Sequence, residues 1–230
     1  MCGRYTLIAS GEEIAARFRL PAAPDPPVRY NIAPSQPIVV VRHRPDETWE
    51  ATLCRWGLLP FWAKDPKMGY RTINARAETV AKKPAYRAAF RARRCLIPAT
   101  GFYEWQRRPG RKTKQPYYIH LSDQPIFAMA GLWERWTDPQ SSEVVESAAL
   151  ITTDANARLA PIHDRMPAIL KEADWAEWLD PGCADTERLQ AMLAPYPPDR
   201  TEAYPVGTFV NNPKHDSPRC IEPVATPDPR

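Results

Sequence analysis

The chain lacks any metal-binding spacing. Its five cysteines (Cys2, Cys54, Cys95, Cys183 and Cys220) form no CxxC pair and no ligand-like cluster with its four histidines. That argues against a structural zinc, and an odd count fits a reducing compartment where thiols stay free. No stretch approaches the ~18 apolar residues of a membrane span, and the N-terminus has no basic-then-apolar leader. The expectation is a soluble, cytoplasmic protein with no membrane partner. Repeats, linker-like composition shifts and nucleotide-cofactor motifs are also missing. One domain over residues 1–222, a Pro-rich tail over 223–230 and no cofactor are therefore expected.

A large excess of either charge is missing as well. Lys and Arg number 31 against 27 Asp and Glu, a net +4, which permits a nucleic-acid partner without demanding one. Hydrophobic content of 43% over 230 residues allows one well-cored domain. Proline is abundant instead. Its 27 residues are more than twice the usual ~5% and are spread along the chain, which implies many rigid turns between short elements.

Ser10 and Glu13 form a capping-box pattern, predicting a helix from Gly11 to about Arg19. Pro21 to Pro27 reads as an extended connection. Pro37–His43 and Trp49–Trp56 read as strands joined by a turn around Arg44, Pro45 and Asp46, and 57–70 as a loop. Helical character is expected at Ala75–Ala81 and Ala85–Arg93, with Pro84 as a break. Strands follow at Cys95–Ile97, Gly101–Trp105, Tyr117–Leu121, Ile126–Leu132 and Val144–Thr152. Short helices are expected at Ala155–Leu159 behind an Asp154 cap, at Ala173–Leu179 and at Thr186–Leu193. Phe209 and Val210 suggest a last strand. Strands dominate the middle without βαβ alternation, which argues α+β with a largely antiparallel sheet.

The chemistry starts at the second residue. If Met1 is removed, Cys2 carries a thiol and an α-amine on adjacent carbons. The amine has an unperturbed pKa of about 7.7–8.0, so an appreciable fraction is nucleophilic near neutrality. An aldehyde meeting this pair can form an imine with the amine, and the thiol can close a five-membered thiazolidine. The second step is intramolecular and gains from high effective molarity.

Three other segments carry polar residues that a plain globular domain does not need: 71–78 around Asn74 and Arg76, 101–105 around Glu104, and 161–167 around His163 and Arg165. Singly, each has an ordinary use. Asn74 can cap a helix, Glu104 can face solvent from a half-buried strand, and His163 can sit in a turn. Arg4, Arg76 and Arg165 lie next to or near these positions, where guanidinium forks suit phosphates. Phe61, Trp62 and Trp105 offer flat faces for bases, worth about 1–3 kcal/mol per stacked base. Core packing is the lesser alternative for Trp62 and Trp105; Trp175 and Trp178 read as helix packing. Arg107–Lys114 reads as a solvated hairpin tip and, like Lys82 and Lys83, as a simple charge run.

Together the segments resemble one family almost end to end. They include Cys2-Gly3-Arg4, Arg29-Tyr30-Asn31-Ile32-Ala33-Pro34, Trp56-Gly57-Leu58-Leu59-Pro60, the 73–78 and 101–105 segments, Phe127–Glu134 and Ile162–Pro167. The chain resembles the SOS response-associated peptidase-like (SRAP) family, whose members crosslink to abasic sites in single-stranded DNA. The resemblance implies a barrel-like, mainly antiparallel β core with flanking helices and a positively charged groove. It implies Cys2 as the covalent nucleophile after Met1 removal, Glu104 as general acid/base and His163 as an aid to sugar-ring opening. Asn74 would orient the cysteine. Phe61 and Trp62 would block a continuing duplex, with Asn31 and Thr153 near the strand. The implied partner is single-stranded DNA bearing abasic sites, including at single-strand/duplex junctions, bound by a monomer. The imine also opens a β-elimination route, a lyase side activity. Two other readings stay open: an N-terminal-nucleophile peptidase or amidohydrolase, and a non-covalent single-strand binder.

Overall fold

The run Ile38, Val39, Val40 and Val41 is β-branched, and all four side chains are buried. Successive side chains of a strand point to opposite faces, so this strand is covered on both sides. It belongs to the wall of a closed barrel. The computed structural model describes residues 2–44 and 48–225.

The elements run β1 (Tyr5–Leu7), α1 (Gly11–Phe18), β2 (Arg29–Ile32), β3 (Pro37–His43), β4 (Trp49–Trp56), β5 (Asn74–Arg76), α2 (Arg87–Ala92) and β6 (Arg94–Ala99). Then come β7 (Gly101–Gln106), β8 (Gln115–Leu121), β9 (Phe127–Thr137), β10 (Val144–Asp154), β11 (Arg165–Pro167) and β12 (Ile169–Leu170). The chain ends with α3 (Trp175–Leu179), α4 (Thr186–Ala191) and β13 (Thr201–Pro205). The architecture is α+β, one compact domain made mostly of sheet.

Strands β4, β3, β6, β9 and β10 close on themselves, because β10 pairs both β9 and β4. Closure removes the free edges that an open sheet would present. Only the β10–β4 pair in this ring is parallel. Past the end of β4, the same edge of β10 takes β5 in parallel, with Leu150 opposite Asn74. A second antiparallel sheet has the order β13-β8-β7-β1-β2. The chain passes from barrel to second sheet at the β6–β7 step. A side chain at Gly101 would run into the Tyr118 ring there, so the crossing requires glycine.

The capping box is present: Ser10 accepts from the Glu13 amide and Glu13 accepts from the Ser10 amide. Helix α1 ends at Arg19 in a left-handed conformation. Trp175 stacks on Phe18 with ring centroids 4.7 Å apart, and Trp178 is fully buried, donating to the Cys95 carbonyl. Both tryptophans are core, as read from their helical placement.

Three local expectations are corrected. The stretch Ala75–Ala81 is not a helix: Asn74–Arg76 is β5, and turns follow. The edge of β10 beyond Trp56 leaves backbone groups needing partners, and β5 supplies them, which overrides helix propensity. Ala155–Leu159 is a turn organised by Asn156, whose side chain accepts from the Leu159 amide and donates to Tyr196 and Thr201. Phe209 and Val210 lie in the 3-10 turn Thr208–Asn211, and the last strand is β13, paired along β8. Pro45 and Asp46 of the expected turn, and positions 226–230 of the expected tail, lie outside the described residues. Pro223 bridges to Val206.

Candidate active site

Cys2 lies three residues before the start of β1, which runs between β2 and β7. Its side chain is fully buried, with Sγ 3.8 Å from the Arg4 carbonyl. The Asn74 amide donates to the Cys2 carbonyl at 2.7 Å. Asn74 starts β5, so the barrel edge that captures β5 also sets the position of Cys2. Tyr86 fastens the other side, donating its hydroxyl to the Asn74 carbonyl at 2.9 Å. Asn74 Oδ1 is buried with no partner among the described residues. An acceptor left open beside Cys2 is suited to an incoming N–H or O–H.

Glu104 lies on β7, which pairs with β1. It is buried, which overturns a solvent-facing placement and pushes its carboxyl up to about 7. A carboxyl titrating near neutrality can both take and return a proton at working pH. His163 stands in the turn before β11, with Nε2 3.7 Å from Glu104 Oε2. Its Nδ1 accepts from the Arg165 amide at 3.0 Å, which leaves the neutral ring's proton on Nε2, facing Glu104. Burial lowers its pKa, favouring that neutral form. When the ring is charged, Asp164, 2.9 Å from Nδ1, is placed to take the second N–H.

Burial pushes the Cys2 thiol strongly upward, and the charge of Glu104 adds to the effect. The thiol is therefore held protonated and quiet until an electrophile arrives.

Beside His163 is a cavity of about 340 Å³ whose walls include Trp105, Arg107, Lys114, Pro161 and Asp164. Arg107 and Lys114 are exposed on the β7–β8 hairpin, as a solvated tip requires, and they also line this cavity. Both border the site because β7 and β8 pair as a hairpin, with Glu104 opposite Tyr117. The signal was available: Arg107 lies three residues after Glu104 on the same hairpin.

The four expected catalytic residues thus converge at the meeting of the two sheets. The expected DNA-contacting residues fall into two groups. Arg4 donates to Asn31 Oδ1 and to the Val210 and Asn211 carbonyls. Asn31 is fully buried, its amide nitrogen set against the carbonyls of Val210, Asn212 and His215. Arg165 is buried and ion-paired with Glu78 and Asp154. Thr153 is buried on β10, opposite Met166. Arg4, Asn31 and Arg165 are thus bound to other parts of the molecule, and Thr153 is packed inside it.

The second group faces outward. Arg76 is exposed and makes no ion pair among the described residues. Phe61 and Trp62 are 62% and 45% exposed, so neither is core. Trp105 is half-buried and donates its indole N–H to Asn211. Met1 lies outside the described residues. Among the described residues, no group of three or more His, Cys, Asp or Glu side chains is arranged to hold a metal ion.

A fold with a barrel, a second sheet and a cysteine tucked between them has close relatives. Residues 1–213 match the SOS response associated peptidase (SRAP) family, and the chain belongs to it. It is 44% identical over 226 residues to the abasic site processing protein YoqW of Bacillus subtilis, covering 96% of this chain and 99% of that one. It is 37% identical over 193 residues to the abasic site processing protein HMCES of Xenopus tropicalis, covering 56% of that longer protein. The crystal structure of a protein from Bacteroides thetaiotaomicron superposes with a TM-score of 0.85 at 28% identity, over 97% of this chain and all of that one.

Proposed function

We propose that this protein processes abasic sites in single-stranded DNA by forming a thiazolidine between Cys2 and the ring-opened sugar. The observation that carries the reading is the convergence on Cys2 of Asn74, a carboxyl titrating at about 7 and a neutral imidazole 3.7 Å from it. The names of the relatives support an abasic-site substrate.

An abasic sugar is mostly a closed hemiacetal. The ionised carboxylate of Glu104 takes the C1′ hydroxyl proton, and the Nε2–H of His163 passes to the ring oxygen while the protonated Glu104, 3.7 Å away, returns a proton to Nε2, freeing the aldehyde and leaving both groups as they began. With Met1 removed, the Cys2 amine adds to C1′, and water leaves to give the imine. The thiol then adds to the same carbon, its proton passing to the imine nitrogen. One C–N and one C–S bond form, one water is released, and no oxidant is needed. Asn74 Oδ1 is available to accept an amine hydrogen during these steps.

The high thiol pKa orders the sequence, because an amine can attack the aldehyde while the thiol stays protonated. β-Elimination competes from the imine, and ring closure by sulfur removes that intermediate. The reading includes a monomer acting in the cytoplasm on single strands and at their junctions with duplex. Five cysteines free of disulfides fit that compartment.

Intact mass before and after mixing with a single-stranded oligonucleotide bearing one abasic site tests the reading. The expected result is a protein lacking Met1 that gains a heat-stable adduct with the lesion and none with undamaged DNA. Cys2→Ala should abolish the adduct. A full adduct yield from Cys2→Ala, or retained Met1 with no adduct, sinks the proposal.

A further inference from the structure

The chain has 23 aromatic residues of the Phe, Trp and Tyr types. Among the described residues, the rings counted as exposed are Phe61, Trp62 and Tyr70. All three lie on one loop, 59–71. Burying an aromatic ring normally stabilises a fold, so concentrating the exposed ones on a single loop points to a contact surface.

The loop is pinned at its neck. The Leu58 amide donates to the Thr72 carbonyl, and the Thr72 hydroxyl donates back to the Leu58 carbonyl at 2.6 Å. Gly57 has a φ of +126°, and a side chain there would meet the Gly69 carbonyl oxygen at 2.5 Å. Only glycine permits the two arms to approach this closely. At the far arm, the 3-10 turn Pro66–Arg71 carries an Asp65 cap that accepts from the Lys67 amide. The neck at Thr72 is two residues from Asn74, so a rigid platform adjoins the reaction centre.

Tyr70 is 61% exposed, and the Arg55 guanidinium backs its ring at 5.6 Å from the centroid. One face is thereby braced and the ring is left accessible. Beside it is a concavity of about 730 Å³ lined by Asp65, Lys67, Met68, Tyr70, Arg71 and Thr72. Lys64, Lys67 and Arg71 are exposed and make no ion pair among the described residues. A braced ring between unpaired cations matches a base flanked by phosphates.

We propose that loop 59–71 forms a second single-stranded DNA subsite, in which Tyr70 stacks a base while Lys67 and Arg71 contact its flanking phosphates. The inference rests on the DNA reading above and extends it to nucleotides beyond the reacting sugar. Tyr70 is distinct from Phe61 and Trp62: it sits on the far arm of the loop, against its own basic concavity. The occupant is a single strand. A duplex hides the base faces that a stacking ring needs.

The test is binding of undamaged oligothymidylates, one long enough to reach the loop and one confined to a few nucleotides, across a salt series. Tyr70→Ala should weaken binding of the long strand about tenfold and the short strand little, while Tyr70→Phe restores it. Lys67→Gln and Arg71→Gln should each flatten the logarithmic salt dependence by about 0.7 for the long strand only. Lys67 is exposed, so its replacement reads binding without disturbing the fold. Unchanged affinity and salt slope in all the variants, with wild-type binding intact, overturn the subsite alone. Loss of equal size for both strands also overturns it, by assigning these residues to the reaction centre. A wild-type protein that holds neither strand and forms no adduct removes the underlying reading together with this one.

Discussion

The reaction centre and loop 59–71 are built on opposite rules. At the centre, Cys2, Asn74 and Glu104 are buried, and Arg4 and Arg165 near it are tied to carbonyls and carboxylates. On the loop, aromatic rings and cations face solvent. Desolvation is useful for chemistry, because it moves the Glu104 carboxyl to about 7 and keeps the thiol protonated. Recognition of a charged strand needs the reverse, accessible charge and accessible ring faces. On the proposed reading, adjacent parts of one fold meet both needs through the barrel edge that fixes Asn74 and the glycine neck that carries the loop.

The most severe way to break this comparison is to remove the charge that burial tunes. Glu104→Gln should slow adduct formation by about 10²–10⁴-fold. Wild-type rates should climb as pH rises through about 7, and the variant should lose that limb. Stability should move the other way. The folded-state value lies above the ordinary 4.5, so this carboxyl's stabilising contribution is complete below about 4.5 and lost as pH rises through about 7. Glu104→Gln should therefore gain stability relative to wild type over that window, by an amount on the order of a few kcal/mol, measured by chemical denaturation at several pH values. Equal pH dependence in both proteins would show that burial does not tune this group.

Arg165 tests which group an arginine belongs to. Its guanidinium bridges Glu78 and Asp154 and donates to the Thr152 carbonyl at 2.7 Å. Both carboxylates are considerably exposed, so neither is left as a buried unpaired charge when the arginine is removed. The cost of Arg165→Gln should be about 2 kcal/mol, below the 3–5 of a fully buried pair. The Arg165 hydrogen bond holds the Glu78 carboxyl below its ordinary value. That contribution is present above the unfolded value and is lost as pH falls through the folded one. The difference between Arg165→Gln and wild type should accordingly shrink in acid. Unchanged stability with weakened DNA binding would move Arg165 into the recognition group, as its sequence position had suggested.

That case shows where the sequence was legible. Signals that are complete within a few residues survived folding: the Ser10–Glu13 box, the β-branched run of β3, and both ends of β3 and β4. Cys2, Asn74, Glu104 and His163, singled out by their motifs, are brought together in the fold, although the burial of Glu104 was not legible. Glu104 between two aromatics could be read as solvent-facing, yet it is buried on β7 of the second sheet. What a local reading leaves open depends on distant partners. Arg165 and Glu78 are 87 residues apart, and Arg4 and Val210 are 206 apart, so no local pattern distinguishes a structural fork from a phosphate contact. The residues 75–81 have good helix formers and become a strand and turns because β10 needs an edge partner.

Arg76 gives the smallest expected effect and the sharpest contrast with Arg165. It ends β5, two residues beyond Asn74, and its side chain is exposed. With no ion pair among the described residues to lose, Arg76→Gln should leave stability within about 0.5 kcal/mol of wild type. Its role should appear in salt dependence instead. Releasing one phosphate contact lowers the logarithmic salt slope for single-stranded DNA by about 0.7, whatever the base sequence. A titration from low to physiological salt with lesion-bearing and undamaged strands separates the possibilities. An equal change of slope on both places Arg76 among the phosphate contacts. A change confined to the lesion strand would place it in the reaction centre, and the division between buried chemistry and exposed recognition would then fail at the residue where the two regions come closest in sequence.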